Sequence, residues 1–256
     1  MRVYVNGEEL PQAAIDAWEL QRSRVVVRFL KSKFGISLPP GISDGGDVVA
    51  LRVALMKAKL GVDPDRVRSS MRVRLMVSRI LVWVVNLVSL RRRKQAVVEI
   101  ADGGAGADEM AAAIAGLFLT NSAANRELTL LGSPDHYLLE AHDGRAQEIV
   151  ETTGGAPLQS QVFVWYADHA APDRPQDPGY TIQLSGVARL AGGTAVGGIQ
   201  HEYREEAGGF RAKIADEFPA LFPNSMVRAQ QLHLACEFGI WYRGLIDRSR
   251  ASDGST

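Results

Sequence analysis

Apolar positions change their spacing partway along this chain of 256 residues, from a helical period in the first part to strand-like runs in the second. Val48, Leu51, Leu55 and Ala58 recur at helical intervals and predict a helix from Asp47, its capping residue, to about Leu60. Gly61 suits a left-handed residue at its end. Asp63-Pro64 opens a second helix, because proline at the first helical position lacks only an N–H that has no intrahelical partner there. That helix runs to about Leu90. Val73, Met76, Val77, Ile80, Leu81, Val84, Val85 and Val88 fill a broad stripe of period 3.6 along it. Met71, Val73, Leu75 and Val77 also alternate with Arg72 and Arg74 as a strand would, but the alternation fails after Arg79. Upstream, Arg2–Leu10 reads as a strand or hairpin turning at Asn6-Gly7. Ile15–Phe34 has helical content, made ambiguous by Val25-Val26-Val27, and a Gly/Pro-rich loop follows to Gly46.

From Ala96 the pattern shortens. Ala96–Ile100 reads as a strand, Asp102–Ala107 as a glycine-rich domain junction, and Asp108–Thr120 and Ala123–Leu131 as helices. Six strand-like runs follow: Tyr137–Ala141, Ala146–Thr153, Gln161–Ala167, Thr181–Leu190, Val196–Glu205 and Phe210–Phe218. Turn residues join most of them, for example His142-Asp143-Gly144 and Ala207-Gly208-Gly209, and Asp168–Gly179 is one longer loop. Asn224 or Ser225 then caps a final helix to about Asp247, whose stripe Val227, Leu234, Phe238, Trp241 and Leu245 should lie on the sheet. Ser249–Thr256 should be a disordered tail. The fold class is therefore α+β: a mostly helical N-terminal segment, then an antiparallel sheet packed on a long C-terminal helix. This element order over residues 95–247 resembles helix-grip domains, in which a curved sheet wraps the last helix and encloses an apolar cavity. A generic α+β sheet with one covered face is the alternative.

Charge sharpens the division. The formal net charge is zero, yet residues 1–100 carry 18 Lys/Arg against 9 Asp/Glu and residues 101–256 carry 11 against 20. The expected units are a basic segment 1–94, an acidic α+β domain 95–248 and the tail 249–256. One cysteine excludes an internal disulfide framework and suggests a reducing, cytoplasmic setting. The N-terminus has no apolar signal core, and the apolar stretch Ile80–Leu90 is too short to span a bilayer.

The stretch Arg66–Lys94 holds nine cations and no acid. Met56–Val67, with Leu60, Gly61, Val62 and Val67 in matching positions, resembles the centre of a helix-turn-helix DNA-binding motif. It departs from that motif at Lys57 and Ser70. The resemblance implies a recognition helix presenting Arg66, Arg68, Ser69 and Arg72 to a groove. Two other readings compete. The hairpin's arginines could pair with the acidic half, or the helix could rest on anionic lipid with Trp83 at the boundary and Arg91, Arg92, Arg93 and Lys94 on headgroups.

Candidate chemistry is sparse. Ile199, His201 and Tyr203 share one strand face, so His201 and Tyr203 would be polar groups in a cavity if Ile199 points inward. They could orient a ligand or move a proton; the alternative is a hydrogen-bonded core histidine. With Trp165, Phe238 and Trp241 they form the expected ligand-binding set. His233 and Glu237, at i and i+4 on the polar side of the last helix, read as a solvated pair. His233 with Cys236 supplies too few ligands for zinc, and Cys236 reads as an inert packing residue. No catalytic triad spacing or metal-type repeat occurs, so no catalytic residue, metal or cofactor is expected. The leading expectation is a non-catalytic protein that binds a small apolar ligand or a protein partner. The alternatives are a nucleic-acid-binding regulator and a helix-grip enzyme using His201 and Tyr203.

Overall fold

A computed structural model of the chain describes residues 1–43, 46–166 and 176–253. Its first elements are β1 (Arg2–Val5), β2 (Glu8–Glu9), α1 (Gln12–Phe34), α2 (Pro40–Ser43), α3 (Val48–Leu60) and α4 (Pro64–Val88). Then come β3 (Arg93–Asp102), α5 (Ala107–Leu119), α6 (Ala123–Gly132), β4 (His136–His142) and β5 (Ala146–Glu151). The chain closes with β6 (Ser160–Tyr166), β7 (Ile182–Arg189), β8 (Ala195–Glu206), β9 (Gly209–Pro219) and α7 (Asn224–Asp253). The nine strands form one sheet in the order β2-β1-β3-β9-β8-β7-β6-β5-β4, with every neighbouring pair antiparallel. A first strand, two helices, six antiparallel strands and one long helix follow one another from β3 onward. This is the helix-grip order, and the fold class is α+β as the pattern predicts.

Local signals act where expected. Asp47 accepts hydrogen bonds from the N–H groups of Val49 and Ala50, and Asp63 from those of Asp65 and Arg66. Asn6-Gly7 and Asp143-Gly144 both take positive φ; the first pair closes a two-residue hairpin and the second opens the three-residue turn 143–145 between β4 and β5. Gly61 differs from expectation: its φ of −71° is right-handed. The Val62 N–H bonds to the Lys59 carbonyl, so the chain continues in a right-handed turn and tucks Val62 into the core. The valine run in α1 stays helical because Val26 is buried with Leu30, and tertiary packing overrides β-branched propensity.

Two cores flank the sheet. On the inner face, α5 and α7 pack on residues such as Val98, Ile100, Ile214 and Val164. On the outer face, Leu138 and Val150 of β4 and β5 lie under α1, α3 and α4 through Val26, Leu30, Leu51, Leu55, Met71 and Leu75. The boundary expected between residues 94 and 95 falls inside β3, and β1 pairs with β3, so both stretches share one sheet. Asp102–Ala107 is a capped strand-to-helix turn: Asp102 accepts the Gly104 N–H, and Glu205 of β8 accepts the Ala107 N–H. The helix α7 runs to Asp253, beyond the expected end. Ala167 and most of the loop expected at 168–179 lie outside the described residues, as do residues 254–256.

The second half of α4 departs most from expectation. Across its whole length α4 buries only Val67, Met71, Leu75 and Ser78, on the side away from most of the apolar stripe. Val73, Met76, Ile80, Leu81, Val84 and Val88 are exposed, as are Trp83 and Leu87, with Val73 at 68%. The helix crosses one end of the sheet, where Arg74 donates to the Pro157 carbonyl and Asn86 to the Ala195 carbonyl. Even so, no helix among the described residues is long and apolar enough to cross a membrane.

Candidate functional site

A cavity of about 300 Å³ lies between the inner face of the sheet, α7 and the crossing stretch of α4. Ile149, Val162, Val164, Ala188 and Ile199 line its sheet wall, Phe238 and Trp241 its α7 wall, and Leu81, Val82 and Val85 its α4 side. The alternation of the strands makes this wall apolar: Leu139, Ile149 and Val164 point in while Glu140, Glu148 and Trp165 point out.

His201 lies in this wall, on the same strand face as Ile199. It is buried, its ring meets Phe238 edge-on with centroids 4.9 Å apart, and its Nδ1 has no hydrogen-bond partner. Burial alone pushes its pKa down to about 3, so it is a neutral imidazole. Phe238 and Trp241 also line the cavity, and the Trp241 indole N–H is anchored 2.9 Å from the Leu128 carbonyl. Two expected ligand contacts are corrected. Trp165 stands on the outer face at 42% exposure, because its neighbours Val164 and Tyr166 take the inward positions. Tyr203 is fully buried beyond the cavity wall, 3.3 Å from the Tyr242 hydroxyl. His201 and Tyr203 therefore do not face one substrate.

One flank of the cavity is polar. Glu151, Glu237, Asp216 and Gln230 line it together. Gln230 donates to Asp216 at 2.9 Å and accepts the Gly154 N–H at 2.8 Å. Burial pushes the Asp216 carboxyl up to about 7 and raises Glu151 and Glu237 as well.

Behind the two glutamates lie His136 and His233, both fully buried, with their Nε2 atoms 3.0 Å apart. His136 donates from Nδ1 to the Thr129 carbonyl at 2.8 Å, which fixes its tautomer. Glu237 reaches His136 at 3.5 Å and His233 at 3.3 Å, and Glu151 Oε2 lies 3.7 Å from each ring. Burial and the neighbouring His233 hold His136 well below its usual pKa. Burial also works against a charged His233, but its hydrogen bond to Glu237 and the carboxylates of Glu151 and Glu237 outweigh it and raise the pKa to about 9.

The solvated His233–Glu237 pair is thus corrected: the other side of α7 is covered by α1 and α6, so its polar face is interior. The sequence predicts no metal-ligating set, yet His136, Glu151 and His233 converge closely enough that they could share an ion. Spacing shows only the helical half of this set; His136 and Glu151 are paired across β4 and β5 and gave no signal. Cys236 is buried with its thiol pushed far up by burial, as an inert residue would be.

The basic residues divide. Arg68 does not face a groove: it binds Glu148 at 2.7 Å and also Glu140 on the sheet. Arg66 donates to the Phe34 carbonyl. Arg93 and Lys94 belong to β3 and bind Asn86, Asn224 and the Phe222 carbonyl. Arg72, Arg91 and Arg92 are exposed. The recognition-helix surface is thus partly consumed inside the fold.

No protein-family model matches the chain, and no curated protein matches it. Among solved structures it is similar to the crystal structure of Ara h 8.0201, at 13% identity over 58% of this chain and 98% of that one, with a TM-score of 0.35. The helix-grip order is carried by this chain's own strand order rather than by that likeness.

Proposed function

We propose that this protein is a non-catalytic carrier or sensor holding a small apolar or amphipathic ligand between the sheet and α7. The observation supporting this is the cavity itself: an apolar wall with a few polar groups gathered on one flank. A ligand with hydrogen-bond donors or a cation at one end fits the carboxylates of Glu151, Glu237 and Asp216, and His201 offers a neutral ring to its apolar side. Titration with a neutral apolar fluorophore such as 1-aminoanthracene tests this. Saturable binding with a Kd on the order of 1 μM, about −8 kcal/mol, is expected. Ala188→Phe, which fills the cavity from β7, should abolish it without changing the far-UV spectrum. Absence of saturable binding by the natural chain refutes the reading.

A second reading concerns α4. Its outward face is apolar, carries Trp83 and is bordered by exposed Arg72, Arg79, Arg91 and Arg92. That combination suits an anionic bilayer surface, and the basic border disfavours a second copy of the same face. Because α4 also walls the cavity, docking there would place the ligand beside lipid. Vesicles containing phosphatidylserine should bind the protein and shift Trp83 emission to the blue, whereas neutral vesicles should not. Equal binding to both, or to neither, removes this reading.

A further inference from the structure

The geometry points to a divalent transition-metal site at the floor of the cavity, with His136 Nε2, His233 Nε2 and Glu151 Oε2 as its three protein ligands and the Glu237 carboxylate beside them. This goes beyond ligand binding and stands without it. Four donors set tetrahedrally at about 2.0–2.1 Å from one ion stand roughly 3.3–3.4 Å apart. The separations here are 3.0 Å between the two rings and 3.7 Å from Glu151 Oε2 to each ring, while Glu237 reaches His136 through Oε1 at 3.5 Å and His233 through Oε2 at 3.3 Å. The three separations among His136, His233 and Glu151 bracket the tetrahedral value, which leaves a fourth position for water or a ligand on the side of Glu237.

The framework has two rigid sources. His136 and Glu151 are cross-strand partners in the β4–β5 ladder, and His233 and Glu237 are one turn apart on α7. Neither pair needs a loop to hold it. Outer contacts point the ligand atoms of His136 and Glu151 inward. The Thr129 carbonyl takes the Nδ1 proton of His136 and leaves Nε2 as the lone-pair nitrogen. The Thr153 hydroxyl donates to Glu151 Oε1 at 2.8 Å and leaves Oε2 toward the rings. Trp18 and Trp241 lie beside the rings, with centroids 5.8 Å from His233 and 5.7 Å from His136, and shield the site.

Charge supports the same assignment. With both imidazoles neutral, as metal ligation requires, the Glu151 and Glu237 carboxylates carry −2, which one divalent cation cancels in place of the proton that His233 otherwise holds. Buried charge without such compensation is costly. Imidazole and carboxylate donors together suit zinc-like ions rather than calcium or magnesium. The other candidate cluster, Glu140, His142 and Glu148, already has its cation, the guanidinium of Arg68. Glu151 and Glu237 also line the cavity, so a bound ion would be reachable by the polar end of a ligand.

The test uses the full chain stripped with a chelator and titrated with Co²⁺ and then Zn²⁺. The natural sequence should take up one Co²⁺ with the intense visible bands of four-coordinate cobalt, and Zn²⁺ should displace it and raise the melting temperature. Glu151→Gln and His233→Ala should each weaken Zn²⁺ binding about 100-fold or more, whereas His142→Ala, in the surface cluster, should not change it. If a variant fails to fold, the cobalt spectrum of the natural chain still decides. No stoichiometric four-coordinate cobalt in the natural chain, or unchanged Zn²⁺ binding in a folded Glu151→Gln, overturns the site. Apolar-probe binding is read separately, so either assignment can fail alone.

Discussion

Trp18 of α1 lies over the imidazole of His233 of α7, with ring centroids 5.8 Å apart and planes tilted by 56°. One contact thus joins the N-terminal helices to the C-terminal helix and seals the buried histidine pair from behind. Glu19, beside Trp18, is buried in an ion pair with Arg52 of α3, and Arg22 binds Asp135 through two hydrogen bonds of 2.7 Å. The basic segment is therefore a structural cover for the sheet's helix-bearing end.

Trp18→Ala should destabilise the protein by about 3 kcal/mol, because it leaves a void against His233 that the flanking helices cannot close. Chemical denaturation measures the loss. A change below about 1 kcal/mol would mean that α1 is loosely held.

His201 gives a pH signature. Its folded pKa, about 3, lies below the ordinary 6.5, so the unfolded chain binds its proton first as pH falls. Its contribution is constant above about pH 7 and turns increasingly unfavourable between about 6.5 and 3. His201→Leu should remove this slope and gain roughly 3 kcal/mol over the natural chain at pH 4 relative to pH 8. Parallel stability profiles for the two proteins would show that His201 is not desolvated.

Arg68 tests the fate of the basic stretch. Burial works to raise the Glu148 pKa, but Arg68 outweighs it and holds the carboxylate below its usual range. Such a group stabilises the fold above its unfolded pKa, and that stabilisation fades as pH falls through the folded value. Arg68→Ala should cost about 2 kcal/mol at pH 7, less than for a fully buried pair because Arg68 is partly solvated. The deficit should shrink below about pH 4, and Glu148→Gln in the same background should recover part of it. A pH-independent deficit would assign the loss to packing of the arginine stem.

Gly132 approaches Trp241 so closely that an added methyl would collide with the indole nitrogen. Gly132→Ala should therefore cost about 1–3 kcal/mol and weaken the Trp241–Leu128 hydrogen bond. Near-ultraviolet circular dichroism of the tryptophan would report the displacement. An unchanged spectrum and stability would show that α6 shifts freely on α7.

Much of the fold was legible in the chain because the signals are local. Asp47 and Asp63 announce helix starts by their own side-chain chemistry, and Asn6-Gly7 and Asp143-Gly144 announce hairpins by their tolerance of positive φ. Strand alternation likewise put Ile199 and His201 on one face, which the structure turns toward the cavity. The same alternation put Tyr203 on that face but could not show that Tyr242 would meet its hydroxyl. Which side of a helix is interior is a different kind of fact. The stripe of α4 is apolar by sequence yet exposed, and His233 and Glu237 are polar by sequence yet buried, because α1 and α6 happen to cover that side of α7. Periodicity reports a helix's own asymmetry, not the neighbours that will lie on it. The pairing of His136 with Glu151, and their meeting with α7, is set by strand register and sheet curvature over about a hundred residues, and only the tertiary structure decides it.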